Sequence, residues 1–283
     1  MPKSLVELCR DLAWSQWTAL GVSGRAAEPS TAIELESAIV FAAELEEVDP
    51  RLHAEVLDWC IQFADEFVSV SVLKHVVRRF ESTHFDRFAA IVNSQAGTKW
   101  PTNTTTGVKF RRSGKSVCRI DRPAAIALRA RKIFGINARA DVLVELALHP
   151  FGPRPTWSRV SSFNELGYTK RNVSSALRDL QIGGVLDTLT IGNSLRYKLR
   201  SLEVAQLLAP LPIQASVAWG AKLALAAGLI AVQRKTANKS AVTIAVEIKK
   251  LLERHATLLP IVIVDPHDPW RSIDTWLEPW LAP

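Results

Sequence analysis

Glycines and changes of hydrophobic period divide residues 160–199 into short segments, and this division restricts the possible folds more than any other pattern in the sequence. Val160, Phe163 and Leu166 recur at the spacing of one helical face, and Gly167 follows them. Glycine adopts a positive φ without steric cost, so it is suited to end a helix. The start of the stretch therefore predicts a short helix that ends at Gly167.

A second helix is predicted directly after this glycine. Thr169 is a good N-cap residue, because its hydroxyl can accept a hydrogen bond from a free backbone N–H of the first turn. Four apolar side chains then recur at helical spacing and form one stripe, namely Val173, Ala176, Leu177 and Leu180. Gly183 and Gly184 end this helix.

Two strand-like runs, residues 185–191 and 195–199, complete the stretch. Gly192 and Asn193 between them suit the two-residue turn of a β-hairpin. Helix, glycine turn, helix and β-hairpin is the order of elements in a winged helix-turn-helix, and residues 138–200 resemble that superfamily. Its members mostly bind DNA, so the resemblance implies a DNA-binding unit and indicates no narrower family.

The face of the second helix opposite its apolar stripe is basic and carries hydroxyl groups. Arg171, Arg178 and a serine between them share one stripe. Arginine can donate two hydrogen bonds to guanine, whereas lysine and serine suit phosphate oxygens. We predict base contacts from Arg171, Ser174, Ser175 and Arg178, and a phosphate contact from Lys170. The alternative is an ordinary solvated helix face.

Further phosphate contacts are predicted on the hairpin and in an upstream loop. Side chains alternate along a strand, so Leu195, Tyr197 and Leu199 share one face, and Arg196, Lys198 and Arg200 share the other. Of the basic face, Arg196 and Lys198 are the predicted contacts. The loop, rich in glycine and threonine, adds Arg111 and Arg112. It is no P-loop, because Lys109 stands where that motif requires glycine.

Charge is unevenly distributed along the chain, whose net formal charge is +7. Residues 1–97 contain 8 Lys and Arg against 15 Asp and Glu, residues 98–140 contain 11 against 1, and residues 149–200 contain 8 against 3. Positive charge is therefore concentrated in the predicted winged helix and the segment before it, as expected of a face that binds a polyanion. The acidic first region suits a basic protein partner.

The rest of the chain has helical patterns, which divide it into four predicted domains. These are an acidic helical domain at 1–97, a basic loop and connecting helix at 98–136, the winged helix-turn-helix at 137–201, and a C-terminal helical region at 202–283. The apolar run at 216–233 is rich in alanine and contains Lys222, so it predicts a buried helix and not a membrane span.

A stripe of large apolar side chains ends the sequence, with Trp276 and Trp280 in it. Such a stripe is seldom left exposed on a monomer. Because two recognition helices need a fixed separation to contact paired half-sites, we predict that it forms the contact of a homodimer. The alternative is that the terminal helix docks on its own chain.

Together these patterns predict a mainly α protein in which helical bundle regions flank a winged helix-turn-helix with a small β-hairpin wing. Its predicted function is sequence-specific binding of double-stranded DNA as a transcriptional regulator. The alternative is a protein-interaction module, or an antitoxin-like protein that binds a partner through its helical regions. Cys9, Cys60 and Cys118 are far apart, which favours a reduced, cytoplasmic protein. No catalytic, metal or cofactor site is predicted.

Overall fold

The computed structural model of the chain describes residues 3–80, 82, 84–105, 109–148, 157–210, 213, 219–255 and 263–281. These residues are mainly helical and include a small three-stranded antiparallel sheet, which confirms the prediction of a mainly α protein with a small β element. The described α-helices are α1 (Leu5–Leu20), α2 (Leu35–Glu44), α3 (Pro50–Phe67), α4 (Val70–Phe80), α5 (Phe85–Ala96), α6 (Ile126–Phe134), α7 (Ala138–Leu148), α8 (Lys170–Ile182), α9 (Leu202–Leu208), α10 (Trp219–Lys235), α11 (Ala241–Arg254) and α12 (Pro269–Leu281).

A first hydrophobic core is built around α2. Every residue of this helix is buried, and it packs against α1, α3, α4, α5 and α10. A helix that is apolar on most sides needs such an enclosed position, because it has no face to offer to water. Its neighbour α10 is likewise buried along most of its length, which confirms the buried helix predicted from residues 216–233 as far as these are described.

The local signals in this core account for where most of its helices begin. Asp49 caps α3 by accepting a hydrogen bond from the backbone N–H of Leu52 at 2.9 Å, and Pro50 takes the first helical position. The α2 helix begins only at Leu35. The chain before it is extended, and the N–H of Ile33 donates to the carbonyl of Ala124 instead of to a helical turn.

A second core is formed by α6, α7, α8, α9, a 3-10 helix at Val160–Leu166 and the sheet. The 3-10 helix occupies the position of the predicted short helix and ends at Gly167, whose φ is +75°. Phe163 from this helix, Leu177 from α8 and Leu186 from the sheet are fully enclosed. These residues belong to the apolar pattern that organises the sequence, so the pattern marks the centre of the second core.

The sheet has the order β1-β3-β2, with β1 at Ser158–Arg159, β2 at Leu186–Ile191 and β3 at Ser194–Leu199. The β2–β3 hairpin closes through the two residues predicted for its turn, with Gly192 at φ +58°. The pairing of Ser158 with Tyr197 adds β1 to the other side of β3. Two residues are too few for a periodic pattern, so the sequence does not predict β1.

The C-terminal helices belong to the first core. Ile273, Leu277 and Leu281 of α12 are buried against the body formed by α1 and α11. The backbone N–H of Leu5 donates to the Asp274 carboxylate at 2.9 Å. Consequently the predicted first and last domains share one core.

Candidate nucleic-acid interface

The α8 helix presents the basic face predicted from the sequence. Thr169 caps it by accepting a hydrogen bond from the N–H of Asn172 at 3.2 Å, and the predicted apolar stripe is buried against the second core. On the opposite side, the exposed residues include Lys170, Arg171, Ser175 and Arg178, and Ser174 is half-buried. The cap and the buried stripe together fix which way these side chains point.

The cations of this face are not compensated within the described part of the chain. Neither Arg171 nor Arg178 forms a salt bridge there, and the same holds for Lys170. The salt bridge found on α8 joins Asp179 to Arg139 of α7 at 3.8 Å, and it involves the flank of the helix. Three positive charges therefore project from α8 into solvent, where they are free to meet an anionic ligand.

The outer face of the sheet adds two arginines in direct register. Arg196 of β3 lies opposite Arg159 of β1, with Leu189 of β2 on its other side. Like charges opposite each other on neighbouring strands are destabilising unless an anion lies between them. The sequence predicts Arg196 as a phosphate contact and does not predict Arg159, because only the two-residue strand β1 brings Arg159 to this face.

Other charges of the hairpin are engaged within the chain. The ammonium of Lys198 lies 4.8 Å from the ring centroid of Trp157, in a cation–π contact. Arg200 forms a salt bridge with Asp187 at 3.0 Å on the same face. Lys198 forms no salt bridge within the described residues, whereas Arg200 is paired with a carboxylate.

The basic segment between α5 and α6 lies on the first core. Its backbone continues along the end of α1, where the N–H of Val117 donates to the carbonyl of Gly21 at 3.0 Å. Arg112 forms a salt bridge of 3.2 Å with Asp58, which is fully buried, while Arg111 is exposed. The two predicted loop contacts, Arg111 and Arg112, therefore lie on the first core, whereas α8 belongs to the second.

Several carboxylates of the acidic region are compensated by the basic segment that follows it in sequence. Arg122 pairs with Glu28 at 2.5 Å, and Lys132 pairs with Glu66 at 2.5 Å. The opposite charges of residues 1–97 and 98–140 therefore cancel in part by direct contact.

A buried ion cluster joins the two cores and was not predicted from the sequence. The Arg131 guanidinium donates to Glu36 of α2 at 2.6 Å and to Asp141 of α7 at 2.9 Å. Tyr168, just before α8, donates to Asp141 at 2.8 Å and lies 3.1 Å from the Ser69 hydroxyl. No local pattern signals this cluster, because its members are separated by up to 132 residues.

The environment of the cluster sets its protonation. Burial opposes the charge of Arg131, but Asp141 and Glu36 outweigh it and hold the pKa of the guanidinium well above its ordinary value. Burial raises the pKa of the Glu36 carboxyl, and Arg131 opposes that shift. Burial and the Asp141 charge together raise the pKa of Tyr168, so its hydroxyl keeps its proton and serves as a donor.

Comparison with family models, with curated proteins and with solved structures finds no match to this chain. The functional argument therefore depends on the geometry of the chain itself. Within the described residues, no helix is both long enough and apolar enough to cross a membrane.

Proposed function

We propose that the chain binds double-stranded DNA in a sequence-specific way, with residues 138–200 as a winged helix-turn-helix and α8 as its recognition helix. The order α7, β1, 3-10 helix, α8, β2, β3 and the sheet order β1-β3-β2 support this topology. The observation that carries the proposal is the exposed face of α8, whose three cations have no carboxylate partner among the described residues.

The dimensions of this face suit a major groove. Arg171 and Arg178 are seven residues apart, which places them about 10 Å apart along the helix axis. A B-DNA major groove is about 12 Å wide and admits a single helix, so both guanidinium groups can face base edges. Ser174 and Ser175 between them are small and leave room for close approach. In the proposed complex Lys170 contacts a phosphate at the start of α8.

The wing supplies the backbone contacts in this proposal. A phosphate between Arg159 and Arg196 would relieve the repulsion of two like charges that face each other across strands. Lys198 is a further phosphate contact on the same face. Arg111 is proposed as a contact from the first core, and Arg112, which is held by Asp58, is not.

We also propose that the protein acts as a homodimer and regulates transcription, because symmetry doubles the short site that one winged helix contacts. Since α12 buries Ile273, Leu277 and Leu281 in its own chain, we assign the dimer contact to the partly exposed Trp276 and Trp280, which also pack on the first core. Trp276 and Trp280 stack with centroids 4.9 Å apart and are half-buried. Sedimentation of wild-type protein and of a Trp276→Glu, Trp280→Glu variant tests this: a dimer that becomes a folded monomer is expected, and a wild-type monomer at tens of micromolar contradicts it.

Selection of bound fragments from random double-stranded DNA tests the proposed function. A sequence-specific binder enriches one motif over successive rounds, and its affinity for that motif falls steeply with salt. If no motif is enriched and all recovered sequences bind with the same affinity, the protein binds DNA only non-specifically. The absence of any retained DNA at micromolar protein would contradict the proposal.

A second candidate function, docking on a protein partner, is favoured by one observation. Leu189 and Ile191 are exposed on the outer face of the hairpin, and Leu195 is exposed on its other face. Exposed apolar side chains that lie together are typical of protein contacts. Replacing Ile191 with serine separates the two functions, because it weakens a docking surface and leaves salt-dependent DNA affinity unchanged.

A further inference from the structure

The α4 helix of the first core lies directly against the turn that precedes α8. A Cβ atom on Gly167 would lie only 3.0 Å from the Cβ atom of His75 and 3.1 Å from the Cα atom of Val72. The φ of Gly167 is +75°, which glycine adopts without steric cost, so a glycine at this position permits the close approach. Two residues separate this contact from Lys170, the first residue of α8.

Contacts at both ends of α4 hold it in this position. Before its start, the Ser69 hydroxyl lies 3.1 Å from the hydroxyl of Tyr168, and the Ser69 N–H donates to the Glu36 carboxylate at 2.8 Å. Near its end, Arg79 forms a salt bridge of 3.0 Å with Glu165 of the 3-10 helix. Because Tyr168 and Glu165 both lie shortly before α8, these contacts fix the position of α4 relative to the start of α8.

The exposed side of α4 carries two cations, Lys74 and Arg78, one helical turn apart. Neither forms a salt bridge within the described residues, and the sequence of α4 contains no Asp or Glu. The Nε atom of Arg78 donates to the carbonyl oxygen of Lys74 at 3.2 Å, whereas its two terminal nitrogens have no hydrogen-bond partner in the described part of the chain. Both cations are therefore available to an anionic ligand.

We propose that Lys74 and Arg78 bind phosphates of the DNA backbone beside the base pairs that α8 contacts, a site that rests on the proposed function of α8 as a recognition helix. The major groove is about 12 Å wide and is bordered by phosphate backbone, so an element packed beside the start of a helix in the groove meets that border. Ammonium and guanidinium groups both bind phosphate oxygens. The DNA interface then includes both cores, with α4 positioning the protein and α8 contacting bases.

The salt dependence of DNA affinity tests the proposal in a Lys74→Ala, Arg78→Ala variant. The slope of log affinity against log salt should flatten by about one unit for each lost phosphate contact. The matched control is Lys239→Ala with Lys249→Ala, which removes two exposed cations just before α11 and on it that form no salt bridge among the described residues. The control should keep the wild-type slope. An unchanged slope in the α4 variant, or equal flattening in both variants, would overturn the proposal.

Discrimination between selected and random duplexes separates a phosphate contact from an indirect effect on α8. Phosphate contacts carry no direct sequence information, so the α4 variant should bind both duplexes more weakly by the same factor. A loss of discrimination in this variant would show that the two residues act through the position of α8, and it would refute the assignment. Equal melting temperatures of the variant and the wild type are expected, because both side chains are exposed.

Shortening the selected duplex shows where the contact lies. As base pairs are removed from its ends, the wild type should lose affinity at a step outside the enriched motif, and the α4 variant should lose none at that step. Equal losses for both proteins at every step would overturn the α4 contact alone and leave the proposed function intact. A wild type that retains no DNA at micromolar protein would overturn both.

Discussion

The segment 98–140 and the unit 157–200 are both basic in sequence, but their basic residues differ in whether they pair with carboxylates. In the first segment, Arg112, Arg122 and Lys132 reach carboxylates of the acidic helical region. In the second unit, Arg171 and Arg178 meet no carboxylate among the described residues. A count of basic residues cannot separate these cases, because it ignores where the acidic residues of other segments lie.

Burial and pairing decide whether a cation of this protein stabilises the fold or is available to a ligand. Arg131, the most buried cation of the described residues, has two carboxylate partners and joins two cores, so its role is structural. The cations of α8 lie on a face whose opposite side is anchored by an apolar stripe. Exposed and uncompensated charge on a rigid element is the better indicator of a binding surface.

The largest expected effect is on stability and comes from the compensated side. Arg131→Leu leaves Glu36 and Asp141 buried without their counter-charge, and the free energy of unfolding should fall by about 3–5 kcal/mol. Urea denaturation measures this. Lys132→Ala, on the same helix but in an exposed pair, is the matched control and should cost at most about 1 kcal/mol. Equal losses for the two variants would show that the buried cluster contributes no more to the free energy of unfolding than an exposed ion pair.

On the exposed side, Arg171→Ala and Arg178→Ala should each reduce discrimination between selected and random DNA by about 1–3 kcal/mol. The reason is the loss of paired hydrogen bonds to a base edge. Competition binding with labelled duplexes measures the difference. Lys249→Ala, on the exposed side of α11, is a control that should keep full discrimination. If an arginine variant weakens both duplexes equally, that arginine contacts phosphate.

A smaller effect is expected where the cluster meets the start of α8. Tyr168→Phe removes the hydroxyl that donates to Asp141, and it should lower the free energy of unfolding by about 1–2 kcal/mol. Tyr197→Phe is the control, because that hydroxyl forms no hydrogen bond within the described residues. Thermal denaturation of both variants distinguishes them. If the Tyr168→Phe protein is as stable as the control, the Tyr168 hydroxyl does not stabilise the contact between the two cores.

Local patterns were sufficient to predict much of the second core. The N-cap at Thr169, the glycine turn at 192–193 and the apolar stripe of α8 each depend on neighbours within a few residues, and the structure confirms all three. The same holds for the alternation of side chains along β3. Such features are predictable because their physical causes are contained in the segment that shows them.

Long-range pairings could not be predicted in this way. Asp58 is 54 residues from Arg112, and Glu36 is 95 residues from Arg131. No residue near Arg112 in sequence indicates that its guanidinium pairs with the buried Asp58 carboxylate. For the same reason, the sequence does not predict the packing of α12 on α1 or the position of Arg159 on the outer face of the sheet, since each depends on a distant segment.

The salt dependence of DNA affinity in two matched double variants tests the proposed DNA interface directly. Lys170→Ala with Arg196→Ala removes two uncompensated cations from the second core. Arg122→Ala with Lys132→Ala removes two compensated cations from the basic segment. We predict that the slope of log affinity against log salt flattens by about one unit per lost phosphate contact in the first variant and stays at the wild-type value in the second. Equal flattening in both variants, or a wild-type protein with no salt-dependent affinity for DNA, would contradict the proposed interface.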